Sequence, residues 1–455
     1  MEIIIFEEIL EKKDYETIIN LFEEQHPAES AELISTIDPS IIWKLLLKLD
    51  SKVRAEIFSH IHLETQILIA ERLSRRSLSQ IFTDMPPDDR ADLFKKLSKE
   101  IQDLLIPALA QAEREDILKL SSYPEKTAGS VMTSEYVALF EKNTVTEAIE
   151  KIRKEAPDTE TIYYSYIVDQ DRKLKGFVSL KDLLIAKPSL KLEDIMQQEP
   201  ITCLVTEDQE DAARRLQKYD LIAIPVVDEN NALVGIITHD DAIDVITQEQ
   251  TEDIEKLMAI SGSHEAGAYL KKSAWTHFKD RSVWIVVLAM VGLIPGMIIH
   301  HFEATLFNLM LLALYMPMLV DAGGNSGNQS ATVIVRALSL KEVSSKDVFR
   351  ILFKELSISL MLAGVLAVLV AAKIIFFTSG VVIPENLTLT RIALAVSIGL
   401  SLQVITSTMI GSMLPILASK LKLDPAVVAN PVLTTVVDIT GLFLYFNTAR
   451  IILGI

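Results

Sequence analysis

The sequence predicts a multidomain membrane protein: an N-terminal α-helical solenoid, an α+β tandem domain pair, a connecting helix and a five-helix α transmembrane domain. Three observations predict it. The chain of 455 residues carries a formal charge of −18, spread unevenly. Residues 1–282 hold 54 Asp and Glu against 34 Lys and Arg, whereas residues 283–455 hold 8 against 10, set in long apolar runs. Apolar residues recur every 12 positions over 37–109, and a strand–turn–strand pattern recurs at a spacing of 59 between 131 and 246.

Composition narrows the function classes. A strongly acidic first half lacks the basic footprint of a nucleic-acid binder, so no nucleic-acid partner is expected, whereas cation binding is permitted. The single cysteine, Cys203, excludes a disulfide framework and a CxxC-type zinc site. No nucleophile–base pair and no phosphate loop stand out, so no enzymatic activity is expected. The start MEIIIFEEILEKK has no basic region before its apolar stretch and does not read as a signal peptide, which leaves the charged half in the cytoplasm.

The N-terminal region, 1–128, is the solenoid. Ile37, Leu49, Ile61, Leu73, Met85, Leu97 and Leu109 share one register of the 12-residue period; Leu45, Ile57, Ile69, Ile81, Leu93 and Leu105 share a second, eight residues later. Stacked helices of about two turns fit that pattern. One long helix does not, because Pro39, Pro86 and Pro87 would break it.

Residues 129–190 and 191–247 form the tandem pair. TIYYSYIVDQDRKLKGFVSLKDLL aligns with YDLIAIPVVDENNALVGIITHDDAI, pairing Asp169 with Asp228, Gly176 with Gly235 and Asp182 with Asp241. Each unit reads as strand, turn, strand, then a helix begun at Ser179 or Thr238. This resembles a tandem CBS-domain pair, a regulatory module. The resemblance leaves two readings open, an adenosine-nucleotide site (ATP among them) between the units and a scaffold that binds none.

The connecting segment, 240–282, reads as a helix over its first half. At 100° per residue Asp241, Asp244, Glu252 and Glu255 fall within roughly 80° of arc, flanked by Glu249 and Asp253. Such a face is self-repelling at low ionic strength, and the segment leads directly to a membrane span.

Five segments, at 283–302, 305–337, 356–377, 392–418 and 425–453, are candidates to cross a bilayer, which takes ~20 mostly apolar residues. Lys and Arg gather before the first span, between the second and third and between the fourth and fifth, while the other loops carry only Arg391. The positive-inside rule then places the N-terminal half in the cytoplasm and the C-terminus outside, in a cell (inner) membrane. Asp438 lies mid-span, and Asn430, Thr434 and Asp438 are spaced to share a helix face. Oxygen-only donors suit hard cations such as Mg²⁺. A packing carboxylate bonded to a neighbouring span is the competing reading of Asp438. Pro317 and the run Gly323–Gln329 predict a second span broken into irregular backbone, which lines a cavity or forms a loop. A single Asp is a poor divalent site, whereas two copies facing across a twofold axis make a good one.

The order of modules resembles the MgtE family of magnesium channels and transporters, and GGNSGNQSAT at 323–332 and NPVLTTVVD at 430–438 are similar to its two pore signatures. The resemblance implies a homodimer in the lipid bilayer with its pore on the twofold axis. It places the pore carboxylate on Asp438, with Asn430 and Thr434 beside it, and a further cation site at Asp424. It implies a magnesium sensor made by Glu56 and Asp88 of the solenoid, Asp208 and Asp220 of the second CBS unit, and Asp241, Asp244, Glu249, Glu252 and Asp253 of the connecting (plug) helix. The expected activity is Mg²⁺ import shut by cytoplasmic Mg²⁺, with the ion as both substrate and regulator. Two alternatives stay open: transport of Mn²⁺ or Co²⁺ on the same scaffold, and a nucleotide-regulated membrane protein sensed through the CBS pair. Zinc is disfavoured, because it prefers His and Cys.

Overall fold

The computed structural model describes residues 6, 9–10, 12, 14–35, 37–260, 273–303, 305, 310–377 and 387–454. They divide into two compact units, one ending at Glu249 and the other starting at Gln250. Part of the connecting segment, 261–272, lies outside the described residues.

The first unit opens with helices α1 (Tyr15–Glu24), α2 (Pro27–Ile34), α3 (Pro39–Leu46), α4 (Ser51–Ser59), α5 (Leu63–Ala70), α6 (Arg75–Asp84), α7 (Pro87–Lys96), α8 (Lys99–Leu105) and α9 (Gln111–Ser121). From α3 to α8 the first residues are 12 apart, as the period predicts. The second register is buried throughout, from Leu45 to Leu105, and the first is buried except at Ile37 and Leu73, which are partly covered by the same core. Side chains at the turns start three of these helices: Asp38 accepts from Ser40 N at 2.8 Å, Asp50 from Lys52 N at 3.2 Å and Ser74 from Ser77 N at 3.2 Å. A third register closes the ends. Arg54 donates to the Leu46 carbonyl at 2.9 Å, Gln66 to Phe58 at 2.9 Å, Arg90 to Phe82 at 3.1 Å and Gln102 to Phe94 at 2.8 Å. These long donors, set on the 12-residue period, satisfy carbonyls that a helix C-terminus leaves without partners.

The tandem pair follows. Strands β1 (Tyr136–Phe140), β2 (Thr161–Val168), β3 (Leu174–Ser179) and β4 (Gln197–Gln198) make one sheet in that order, and β5 (Cys203–Leu204), β6 (Ala223–Val227) and β7 (Leu233–Thr238) make another. Helices α10 (Val145–Glu155), α11 (Leu180–Ile185) and α12 (Gln209–Lys218) pack with them. The repeat has a physical basis. Asp169 accepts from Asp171 N at 3.0 Å and Lys173 N at 2.9 Å; its counterpart Asp228 accepts from Asn230 N at 2.9 Å and Ala232 N at 2.8 Å. Both are Asp-closed turns between antiparallel strands. The paired glycines answer a crowding constraint: a Cβ on Gly176 would lie 2.4 Å from the Gln197 carbonyl oxygen, and one on Gly235 would lie 2.8 Å from that of Thr133. Helix α13 (His239–Leu257) leaves β7 and carries the chain into the second unit.

The second unit holds α14 (Ala274–Val291), α15 (Leu293–His301), α16 (Met316–Ser339), α17 (Val348–Phe377), α18 (Leu389–Lys420) and α19 (Pro425–Leu453). Among the described residues four helical stretches are long and apolar enough to cross a membrane: Ala274–His301, Val348–Phe377, Leu389–Lys420 and Val432–Leu453. Helix α16, the remaining candidate span, carries the polar run that keeps it below that apolarity. Val283, Ile285, Val286, Met290, Leu293 and Met297 are exposed along α14 and α15, a surface that needs apolar surroundings. The core joins Tyr315, Leu319, Leu400, Val404, Tyr445 and Phe446, and the Tyr445 hydroxyl donates to the Leu312 carbonyl at 3.0 Å.

Ile81→Ala removes a fully buried side chain from the second register and is expected to cost ~2–5 kcal/mol. Leu47→Ala, at a residue 47% exposed, is the near-neutral control. Thermal unfolding and hydrogen exchange across α4, α6 and α8 check the difference.

Candidate cation path and acidic cluster

Carboxylates from two elements of the first unit act on one another. Helix α7 begins Pro87-Asp88-Asp89, placing two acids in its first turn. Helix α13 begins at the end of β7, where the Thr238 N–H and O–H both donate to Asp241 Oδ2, the former at 3.3 Å. Ser179 and Asp182 repeat this arrangement in the first CBS unit. Asp241 is thereby fixed as a helix-starting group as well as a charge of the acidic face, a second role its motif position alone did not reveal.

Burial pushes the Asp88 carboxyl well above the usual range, and the neighbouring Asp89 and Asp241 add to it. Burial likewise raises Asp89 to about 7, helped by Asp241, Asp92, Glu160 and Asp244. Asp241 is raised by burial and by Asp240 and Asp244, against the lowering effect of its Thr238 bonds. Asp244 is raised by burial and by Asp240. Asp92 is raised by burial, with Lys95 opposing. Glu160 is raised by burial and by Asp241 and Asp240. Asp88 Oδ1 is enclosed and accepts no hydrogen bond. Glu56 and Asp244 both act on His60, whose desolvation and neighbour His26 lower its pKa. Two residues of the expected sensor, Asp88 and Asp241, thus share one field with Asp244 at its margin, and Asp89, Asp92 and Glu160 join them. Among the described residues no three His, Cys, Asp or Glu side chains converge closely enough to hold a bare metal ion. The arrangement is a field of charge awaiting neutralisation rather than a formed chelate.

Of the other expected sensor residues, Asp208, Glu249 and Glu252 have local partners. Asp208 caps α12, accepting from Glu210 N at 2.8 Å. Asp220 follows α12 in a left-handed conformation at φ 51°. Glu249 accepts from the buried Gln209 at 2.8 Å. In the second unit Glu252 pairs with Lys256 at 2.8 Å, and Lys256 also reaches Asp424 at 2.7 Å. Asp424 starts α19 by accepting from Ala426 N at 2.9 Å. Burial would lower Lys256, but its bonds to Asp424 and Glu252 outweigh that and hold it above its ordinary value. Asp253 lies one residue on from Glu252 in α13. A lysine ammonium therefore occupies Asp424, the carboxylate expected to take a cation.

The membrane unit corrects one expectation. Residues 323–329 are not irregular: α16 runs unbroken from Met316 to Ser339. Its glycines serve helix packing. Gly323 and Gly327 are four apart on one face, and a Cβ on Gly323 would sit 2.2 Å from Gln403 Nε2. A Cβ on Gly411 of α18 would sit 2.2 Å from the Gly327 carbonyl oxygen. Small residues at this spacing let membrane helices touch closely. Gln403 donates to the Val437 carbonyl at 3.0 Å and so ties α18 to α19. Helix α19 is also continuous through Pro431, which keeps residues 430, 434 and 438 on one face. The Asn430 side chain lies outside the described residues.

Asp438 Oδ1 is enclosed without a hydrogen-bond partner, so the packing carboxylate bonded to a neighbouring span is not what that oxygen provides. The residue lines a cavity of about 570 Å³ with Pro295, Ile299, Pro317, Asp321 and Leu442. Asp438 is not the only acid inside these helices. Asp321 lies in α16, and Glu355 of α17 is buried and accepts from Ser330 at 2.8 Å. Sequence reading passed over both, because each sits near charged or polar neighbours instead of alone in an apolar run.

Comparison with known proteins places this geometry. Residues 316–448 match the MgtE divalent cation transporter family, 25–126 the MgtE intracellular N domain, and 128–189 and 192–248 the CBS domain. A magnesium transporter MgtE from Thermus thermophilus is 35% identical over 454 residues, covering 98% of this chain and 97% of the relative. The chain belongs to the MgtE family. An MgtE from Bacillus subtilis is 33% identical over 394 residues, covering 87% of this chain and 84% of its own. The solved cytosolic domain of the Mg²⁺ channel MgtE in complex with ATP is 35% identical and superposes with a TM-score of 0.50, covering 53% of this chain and 99% of that one. As an MgtE protein the chain is a multidomain membrane protein, and its fold class is the one the sequence predicts.

The raised carboxyls set a pH dependence. A folded-state pKa above the unfolded value means the native form holds extra protons at mildly acidic pH, so the stability this gives is lost as pH rises through the folded value. For Asp89, with its folded value about 7, that window runs from roughly pH 4 to pH 7. In a chelator, limited proteolysis of residues 87–96 and 239–249 is expected to accelerate across this window. Asp89→Asn should flatten the rise.

Proposed function

We propose that this chain is a Mg²⁺ channel of the cell membrane that imports the ion down its gradient and shuts when cytoplasmic Mg²⁺ fills its acidic sites. The observation that carries the pore is Asp438: a carboxylate midway along α19, with an enclosed oxygen that no protein group satisfies, beside a cavity. An ionisable group at membrane depth is costly and marks a path by default. Mg²⁺ keeps its waters tenaciously, so a carboxylate that binds the hydrated ion is cheap to fill and cheap to leave. One Asp438 per chain is a weak site; a homodimer with the pore on its twofold axis supplies two. Thr434 and Asn430 lie toward the cytoplasmic end of the same face. The N-terminal half is cytosolic and the C-terminus outside, by the placement of Lys and Arg in the loops. The modules are 1–128, 129–190, 191–247, the connecting segment 240–282, and 283–455.

The gate follows from the acidic field. With little Mg²⁺, repulsion among Asp88, Asp89, Asp241 and Asp244 loosens the hold on α13. With more, hydrated ions bridge α7 to α13 and fix that helix, and Glu56, Asp208, Asp220, Glu249, Glu252 and Asp253 supply further ligands. At the mouth of α19, Lys256 releases Asp424 to the ion only when α13 moves. To shift a gate from mostly open to mostly shut takes ~5 kcal/mol of differential binding, which several weak sites supply together.

An adenosine nucleotide such as ATP is a second ligand of the CBS pair. The cleft lined by Tyr164, Tyr166, Phe177, Ile201, Leu221 and Pro225 supports this, with Tyr164 and Phe177 edge to face at 5.3 Å. Its volume of about 30 Å³ means that an adenine enters only as these side chains part.

Two results test the reading. Asp438→Asn keeps the side-chain shape and removes the charge; Mg²⁺ flux into proteoliposomes should fall by at least tenfold while a folded dimer remains. Wild-type flux would refute the pore. Asp88→Asn with Asp244→Asn spares both the Thr238 cap and Lys256, and patch recordings should show it conducting at cytoplasmic Mg²⁺ that shuts the wild type. Closure at the wild-type concentration would place the sensor elsewhere.

A further inference from the structure

The cavity beside Asp438 holds a second carboxylate that neither pore signature includes. Asp321 precedes the GGNSGNQSAT run in α16 and lines the same space of about 570 Å³. It is exposed, and Asn325 Nδ2 donates to its Oδ1 at 3.1 Å, which orients the carboxylate and leaves Oδ2 without a partner among the described residues. The rest of the wall is apolar: Pro295, Ile299, Met316, Val320 and Leu442. A cleft of one charge sign with low-dielectric walls focuses its field on an entering counter-ion.

Depth can be read from packing. Gly323 of α16 and Gly441 of α19 both close on the Gln403 side chain, so they lie at one level. Asp321 is two residues nearer the outer end of α16, and Asp438 is three residues nearer the inner end of α19. At 1.5 Å per residue the two positions differ by roughly 7–8 Å along the helix axes. An ion bound directly by both carboxylates would need their oxygens within about 4 Å of each other, twice the Mg–O distance. An ion that keeps its waters spans about 9–10 Å, because each side adds a water and a hydrogen bond. The offset suits an ion that keeps its waters better than a bare one. Six waters need about 180 Å³ at their liquid volume, which the cavity exceeds.

We propose that Asp321 is a second carboxylate of the cation path, lying outside Asp438, which captures the hydrated divalent cation and sets the external concentration at which the path fills. This rests on the pore reading of Asp438 given above. Asp321 governs capture, and Asp438 governs passage.

The test measures Mg²⁺ flux into proteoliposomes against external Mg²⁺ at low and high ionic strength. Asp321→Asn should raise the half-saturating concentration about five- to tenfold at low ionic strength, keep at least half the maximal flux, and lose most of that shift at high salt. Asp321→Glu should restore the wild-type value. Asn325→Ala, which keeps the charge and frees its orientation, should shift it in the same direction by a smaller factor. Block by external hexaamminecobalt(III), a rigid mimic of the hydrated ion, should weaken in Asp321→Asn by a similar factor. Wild-type half-saturation and block in Asp321→Asn would overturn the inference, as would loss of maximal flux with half-saturation unchanged. If Asp438→Asn itself conducts normally, the pore reading fails; if Asp438→Asn is inactive and Asp321→Asn is unchanged, only this inference fails.

Discussion

Like charges held close in a partly desolvated place are the constraint on which the rest of this molecule turns. Asp88 and Asp89 start one helix, Asp241 and Asp244 lie at the start of another, and burial together with mutual repulsion raises all four carboxyls. In general, two unit charges about 6 Å apart at an effective dielectric constant of about 20 repel by ~3 kcal/mol. Protons or cations offset that cost. In the proposed gate α13 is the element whose position depends on cation concentration, because it continues from the field into the unit that holds the membrane helices.

The membrane unit meets the opposite requirement. Its helices sit close together while a carboxylate at mid-helix keeps an oxygen without a partner. Gly323 and Gly441 bring α16 and α19 against Gln403 of α18, whose amide bonds the Val437 carbonyl, and Gly327 meets Gly411. The enclosed oxygen of Asp438 stays unsatisfied, a cost of the kind proteins retain at a functional site. At the start of α19, Asp424 is held by the Ala426 N–H and by Lys256, so that carboxylate already carries a tethered ammonium.

Much of this was legible in the sequence, and the reasons are specific. The 12-residue period is visible because every helix of the solenoid presents the same two apolar positions to one core, so Leu45 and Leu105 have the same job. The 59-residue repeat is visible because each turn needs an Asp and each close strand needs a Gly. The third register of Arg54, Gln66, Arg90 and Gln102 was hidden because it alternates between residue types and breaks at Leu78; only the shared geometry of donation reveals it. The run 323–329 was misread because glycine and asparagine signal loops in water, whereas between membrane helices small residues signal contact. Asp89, Asp92 and Glu160 were missed at the sensor because their meaning lies in what faces them across space. Asp321 was missed because it adjoins the polar run of α16, and because Asp438, with which it shares a cavity, is 117 positions away in the chain.

The central claim is that neutralising the field between α7 and α13 and shutting the pore are one event. Hydrogen exchange of the full chain in proteoliposomes, followed over 87–96 and 239–257 while cytoplasmic-side Mg²⁺ is stepped, tests it against conductance recorded over the same steps. Protection should rise in both segments over the concentration range in which conductance falls, with matching midpoints. A pore that shuts while exchange in α7 and α13 stays unchanged would contradict the account.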